Sequence, residues 1–167
     1  LDDADVVILA TGFRLSIPYL EEADFKCLAG ASGSAGSVVH PTLFKYAFCP
    51  GLDGMAFIGF QEQIGAYNPA NEMVARWVAA VAEGAISLPS NEVMNKWIAA
   101  KQQARLSRPD HHNMVTCLEV EETVAEELGT LPPSWWQEPA LAWSLWMRPA
   151  FPYIYRMRGK GAWSGAR

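Results

Sequence analysis

The polar residues best placed to do chemistry lie between an apolar run and a helix start. Gln61, Glu62 and Gln63 follow Met55-Ala56-Phe57-Ile58-Gly59-Phe60, and Asn68-Pro69 opens a helical pattern. Amide and carboxyl side chains beside the free N–H groups of a helix start suit an anion or the carbonyl-rich edge of a ring. Asn68 reads as the N-cap of that helix or as a pocket wall, the cap being preferred. Pro69 then takes the first helical position and Glu72 falls in the first turn. Glu72 either steadies the positive helix end or pairs with Arg76 four residues on. A second candidate stands at Thr11-Gly12, a hydroxyl and a glycine turn at the end of an apolar strand. In open α/β sheets that edge is where ligands bind.

Other chemistries find little support. His111-His112 has no third ligand nearby, and adjacent histidines on extended chain point apart, so no metal site is expected. Glu119, Glu121, Glu122, Glu126 and Glu127 are spaced as a solvated helix face, not as a catalytic pair. The glycines of Gly30 to Ser37 do not fit GxGxxG, and no strand leads into them. The sequence holds no P-loop and no Ser-His-Asp pattern with supporting context. No catalytic acid, base or nucleophile is assigned.

The elements that must position these residues read as follows. Ala4 to Ala10 is a β-branched run suited to a buried parallel strand. Leu43 to Phe48 alternates like a strand, and Met55 to Phe60 suits a second buried one. Helices are expected over 69–83, ending at Gly84; over about 91–106, capped by Ser90; over 118–128, ending at Gly129; and over 138–147. Tyr153 to Met157 reads as a strand or extended cover segment, and Gly159 to Trp163 as a final turn. Of seven tryptophans, Trp135, Trp136, Trp143 and Trp146 crowd into twelve residues. They read, with Trp77 and Trp97, as core or lid packing.

Composition sets the outer bounds. The 167 residues are 50% hydrophobic and 19% charged, a globular balance. A net charge of −5 argues against a nucleic-acid partner. No run approaches the ~18–20 apolar residues of a membrane span. Three widely spaced cysteines form no disulfide framework, so a reducing, cytoplasmic location is expected. The sequence opens on Leu1-Asp2-Asp3 and runs directly into a strand, so it reads as a fragment.

Four stretches together resemble the C-terminal third of the flavin-containing monooxygenase family. Ala10-Thr11-Gly12-Phe13 is similar to the family's Ala-Thr-Gly-aromatic motif. Leu43-Phe44-Lys45-Tyr46, Phe57 to Gln61 and Glu72 to Trp77 are similar to its last flavin-domain strand, glutamine-containing loop and following helix. Gly84 with Leu88-Pro89-Ser90 and Met94, and Phe151-Pro152-Tyr153 with Arg156, Gly159, Gly161, Trp163 and Gly165-Ala166-Arg167, complete the likeness. The family's two GxGxxG fingerprints and its inter-domain signature are not in this sequence.

The resemblance implies an α/β protein, part of a doubly wound FAD/NAD(P)-binding fold with a helix-rich, Trp-rich C-terminal region. Residues 1–14 would end a nicotinamide-binding domain, 15–110 would belong to the FAD domain, and 111–167 would form a cover segment. It implies FAD and NADPH as cofactors, held with a missing N-terminal region. NADPH would reduce FAD, and the flavin hydroperoxide would pass oxygen to a small substrate with a soft nitrogen or sulfur. Thr11 and Gly12 would lie near the nicotinamide dinucleotide or the domain crossing. Gln61, Glu62 and Gln63 would lie beside the flavin, with Asn68 at the helix start. The isolated chain is expected to lack activity. The competing expectation is a non-catalytic remnant or interaction module.

Overall fold

The computed structural model describes residues 5–9, 17–21, 43–61, 63–106, 115–147, 152–159 and 162–163. Helices carry this part of the chain. A two-residue strand β1 (Gln63–Ile64) precedes α1 (Tyr67–Ala82), and α2 (Asn91–Leu106) follows. Strand β2 (Val115–Thr116) runs directly into α3 (Cys117–Leu128), then come α4 (Pro139–Trp146) and a 3-10 helix (Pro152–Arg156). The two strands pair in parallel, Gln63 opposite Val115 and Ile64 opposite Thr116. Each strand feeds a helix, so this short ladder brings the starts of α1 and α3 together.

The helices form where periodicity and end signals agree. Ala70, Met73, Val74, Trp77 and Ala80 make a buried stripe on α1 at three- and four-residue spacing. α3 turns Val120, Val124, Ala125 and Leu128 against it, with Phe44, Phe48, Met94 and Ile98 in the same core. Gly84 (φ 72°) and Gly129 (φ 62°) adopt the left-handed conformation just past α1 and α3, a cheap stop for a residue without Cβ. Thr116 caps α3, its Oγ1 accepting from the Glu119 N–H at 3.1 Å. Thr-x-x-Glu is the capping-box spacing, a signal open to sequence reading and not used in it.

The expected strands do not form among the described residues. Val6 to Leu9 lack the neighbours that a buried parallel strand needs on both sides, and they are 58–85% exposed. Phe44 to Phe48 is a tight reversal instead of a strand. Phe44 donates to the Phe48 carbonyl at 2.7 Å, and Phe48 returns the bond at 3.2 Å. Lys45 (φ 43°) and Tyr46 (φ 68°) take left-handed backbone to make the turn, a conformation that costs non-glycine residues energy. The cost is offset by burial: every residue from Leu43 to Cys49 is buried. Met55 to Phe60 is extended without being a strand, tied by Phe57 N–H to the Ala47 carbonyl at 2.8 Å. Around Phe57, the residues Ile17, Leu43 and Cys49 make a second apolar cluster.

The C-terminal segment also differs from expectation. Residues 152–156 wind into a 3-10 helix in place of a strand. Tyr155 is buried in the main core, and Arg156 reaches back to an ion pair with Glu72 on α1. The Ala162 N–H bonds the Gly159 carbonyl at 3.1 Å, the expected final turn. The tryptophans divide: Trp77 is core, Trp97 packs edge-on against Phe44 and Tyr46, and Trp136 is 96% exposed. Trp135 and Trp143 meet edge-to-face near the surface, with 6.0 Å between ring centroids, so the cluster is not core packing as a whole.

Candidate functional site

The candidate site is built from the loop after Gly59 and the first turns of α1. Gly59 (φ 83°) turns the chain, and a Cβ there would lie 3.6 Å from the Asn71 side-chain nitrogen. The turn puts Gln61 inside, only 8% exposed. Its Nε2 donates to Asn71 Oδ1 at 2.9 Å. Its Oε1 is buried with no hydrogen-bond partner. Turning both amides over exchanges the roles without curing the defect: Asn71 would then donate to Gln61 Oε1, and the buried Gln61 nitrogen would be the orphan. Leaving such a group unpaired costs about 1–3 kcal/mol, so this oxygen is one that a further hydrogen-bond donor would stabilise.

α1 starts two residues earlier than the sequence suggests. Its N-cap is Ala66, with extended backbone (φ −81°, ψ 117°) and no side-chain cap. Asn68 is therefore not the cap but an exposed first-turn residue. Pro69 still fits, because its missing N–H would have had no intrahelical acceptor there. The shift also moves Glu72 out of the first turn. An uncapped helix start near a buried, half-paired amide offers two kinds of hydrogen-bonding group to one ligand.

Of the sequence candidates, Gln61 is placed as a buried donor to Asn71, Gln63 is fixed by backbone pairing with Val115, and Asn68 lies in the first turn of α1. Thr11, Gly12 and Glu62 lie outside the described residues, as do His111 and His112. Asn71, which orients Gln61, was missed by sequence reasoning. Among the described residues, no group of three His, Cys, Asp or Glu could hold a metal ion.

The charges near α1 and α3 are structured. Arg76 reaches the Tyr155 carbonyl at 3.3 Å and Met73 Sδ at 3.2 Å. Burial, then the positive charge of Arg156, lowers its pKa from the ordinary arginine value, against an opposing pull from Glu72. The acidic face of α3 is not simply solvated, which corrects the sequence expectation. Lys45 pairs with Glu127, while Lys101 Nζ and the Tyr46 hydroxyl both reach Glu119, at 2.9 and 3.1 Å. Glu121 is buried, 4% exposed, and bonded to Tyr155.

Burial raises the Glu121 pKa, the Tyr155 hydrogen bond opposes the rise, and neighbouring Glu122 adds to it. Burial also pushes the Tyr155 hydroxyl far above its usual range, with help from the Glu121 charge. A carboxyl whose folded pKa is raised contributes stability below its unfolded pKa, about 4.3, and loses it as pH rises through the folded value. Glu121→Gln keeps an acceptor for Tyr155 and removes the charge. Urea unfolding of both proteins from pH 4 to 7 is expected to show the variant gaining on the parent as pH rises. A gap independent of pH would sink the assignment.

Comparison with known proteins bears on the whole length. The model of the flavin-binding monooxygenase-like family matches residues 1–167. Flavin-containing monooxygenase 5 of Oryctolagus cuniculus is 33% identical over 175 residues, covering 99% of this chain and 31% of the relative. Flavin-containing monooxygenase 3 of Canis lupus familiaris is 33% identical over 170 residues, covering 98% and 30%. Flavin-containing monooxygenase 2 of Homo sapiens is 32% identical, covering 99% and 31%. The chain thus spans a little under a third of the length of these relatives. With a family match from the first residue to the last, the chain belongs to the flavin-binding monooxygenase-like family.

Proposed function

We propose that this chain is the C-terminal third of an NADPH- and FAD-dependent monooxygenase that oxygenates soft nitrogen or sulfur centres in small molecules. The observation that carries the reading is the family match over residues 1–167, with relatives about three times as long. On this reading residues 1–14 close a nicotinamide-binding domain, 15–110 complete a doubly wound FAD domain, and 111–167 cover it. Among the described residues Cys49 and Cys117 are free thiols. Among the described residues no helix is long and apolar enough to cross a membrane.

Bound FAD and NADPH supply the redox chemistry and the activation of oxygen. The chain's own residues bind, orient and exclude water. Gln61, held by Asn71, would offer its unpaired amide atom to bound FAD, which would satisfy a group that otherwise costs stability. The Tyr67 and Asn68 N–H groups at the uncapped start of α1 favour electron-rich oxygen nearby. By the family likeness, Glu62, Gln63 and Asn68 would also lie beside the flavin, and Thr11 and Gly12 near the nicotinamide dinucleotide or the domain crossing. The residues fit a pocket wall and not a phosphate cradle, since no GxGxxG occurs in the sequence.

Flavin fluorescence and absorbance, followed during FAD titration with and without NADP⁺, test the proposal. The chain alone is expected to show no saturable binding and no activity. A longer reading frame carrying the two glycine fingerprints is expected to bind FAD stoichiometrically. In that protein Gln61→Leu weakens FAD binding about 3- to 10-fold, the worth of one net hydrogen bond. A longer protein that binds no flavin would overturn the reading and favour a non-catalytic remnant.

A further inference from the structure

Two carboxamides ten residues apart, Gln61 and Asn71, meet inside the turn that leads into α1. Gln61 is 8% exposed and gives its Nε2 to Asn71 Oδ1, while its Oε1 is buried and accepts from no group. A purely structural contact has no need of this. Two apolar side chains of similar shape would fill the same space and leave nothing unpaired, at little or no loss of stability. Asn71 also does more than fill space. The last torsion of a glutamine is broad and roughly two-fold, so the amide of a lone glutamine can turn over. A bond at its nitrogen fixes which atom faces the other way.

The free atom is an acceptor, which restricts what can meet it. Phosphate oxygens and ring carbonyls are acceptors themselves and gain nothing from it; an N–H or O–H is required. The surroundings restrict the partner further. Phe60, the residue before Gln61, packs edge-to-face on Phe57 with 5.6 Å between ring centroids. Phe57 in turn is buried with Ile17, Leu43 and Cys49. A flat apolar body with a single N–H suits such a wall better than a polyhydroxyl chain, whose other hydroxyls would lose their water there. The oxidised flavin ring has that form, its ring N–H lying between two carbonyls.

We infer that Asn71 is a positioning residue for the flavin contact: it holds the Gln61 amide so that the oxygen stays free for the ring N–H of bound FAD. The inference rests on the monooxygenase reading and deepens it. The empty protein then carries a buried unpaired acceptor that FAD satisfies, a loss of stability kept for function.

The test uses the longer protein with both glycine fingerprints. Its FAD affinity is read by flavin fluorescence and its stability by thermal melts with and without FAD. Asn71→Leu is expected to weaken FAD binding about 3- to 10-fold, as Gln61→Leu does. The double variant is expected to weaken it no further, because both single changes remove the same contact. Asn71→Asp still accepts from Gln61 Nε2, so it is expected to keep an affinity close to the parent's. The FAD-free double variant is expected to melt no lower than the FAD-free parent, since it discards the unpaired group. FAD methylated at the ring N–H nitrogen is expected to bind the parent less tightly than FAD does, and Gln61→Leu to narrow that gap. A parent that binds FAD while Asn71→Leu binds it equally well overturns the inference and leaves the monooxygenase reading standing. So does Asn71→Asp binding as weakly as Asn71→Leu, which would mean that the two amides are turned the other way. A FAD-free double variant that melts well below the parent would make the pair structural and overturn it too. A parent that binds no FAD overturns both readings.

Discussion

Trp77→Ala is expected to abolish the cooperative unfolding transition of the chain. Trp77 is 1% exposed at the centre of the α1 stripe. Its ring meets Phe48 edge-on at 5.0 Å and Phe44 at 6.1 Å between centroids. Truncating a buried tryptophan removes its burial and leaves a cavity, at about 3–5 kcal/mol. A domain holds only about 5–15 kcal/mol in all, so the loss is a large share. Trp77 also carries a flaw: its Nε1 is buried without a hydrogen-bond partner. Trp77→Phe loses volume but also discards that unpaired donor, so it is expected to cost much less, about 1–2 kcal/mol. Thermal and urea melts of the three proteins by circular dichroism decide the matter. An alanine variant within about 1 kcal/mol of the parent would show that Trp77 does not organise the core.

The second large effect is expected at Gly65→Ala, and its partner is Cys117. Gly65 has φ 115°, a conformation that side-chain-bearing residues rarely adopt. A Cβ on it would lie 2.7 Å from Cys117 Sγ and 3.4 Å from Cys117 Cβ. Backbone strain of about 1–3 kcal/mol adds to an overpacking cost of similar size. Cys117→Ala in the same chain removes the sulfur and the closer clash but leaves the strain. A double-mutant cycle by urea unfolding should therefore show partial rescue, with a coupling of about 0.5–3 kcal/mol. Zero coupling would mean that α1 and α3 do not meet at this point. Gly65 lies between Gln61 and α1, so the same substitution also disturbs the candidate site.

Helices were legible because their signals are local. The expected spans 91–106 and 118–128 meet the observed Asn91–Leu106 and Cys117–Leu128 within a residue, since Pro89, Gly84 and Gly129 punctuate them. The α1 start was displaced by two residues because Asn68-Pro69 imitates a cap, while the true cap position, Ala66, carries only a methyl group and no hydrogen-bonding atom to announce itself. Strands were misread because pairing is non-local. An apolar alternation such as Leu43 to Phe48 states that residues are buried, not what they lie beside. Here both faces are buried, and two left-handed residues turn the chain back. Gln61 was legible as a polar residue at the edge of an apolar run. Asn71 was not, because its role appears only once the loop folds back on the helix.

The ladder between β1 and β2 has a kinetic consequence. It joins segments separated by about 50 residues through only two residue pairs. Closing a loop of that length costs about 3–4 kcal/mol in chain entropy, which so short a ladder does not repay alone. It therefore forms late, after the α1–α3 core has drawn its ends together, and it opens first. Opening separates the starts of α1 and α3 while both helices stay wound, the kind of sub-global excursion that precedes full unfolding. The wall that carries Gln61 thus sits beside a ladder expected to open while both helices stay wound.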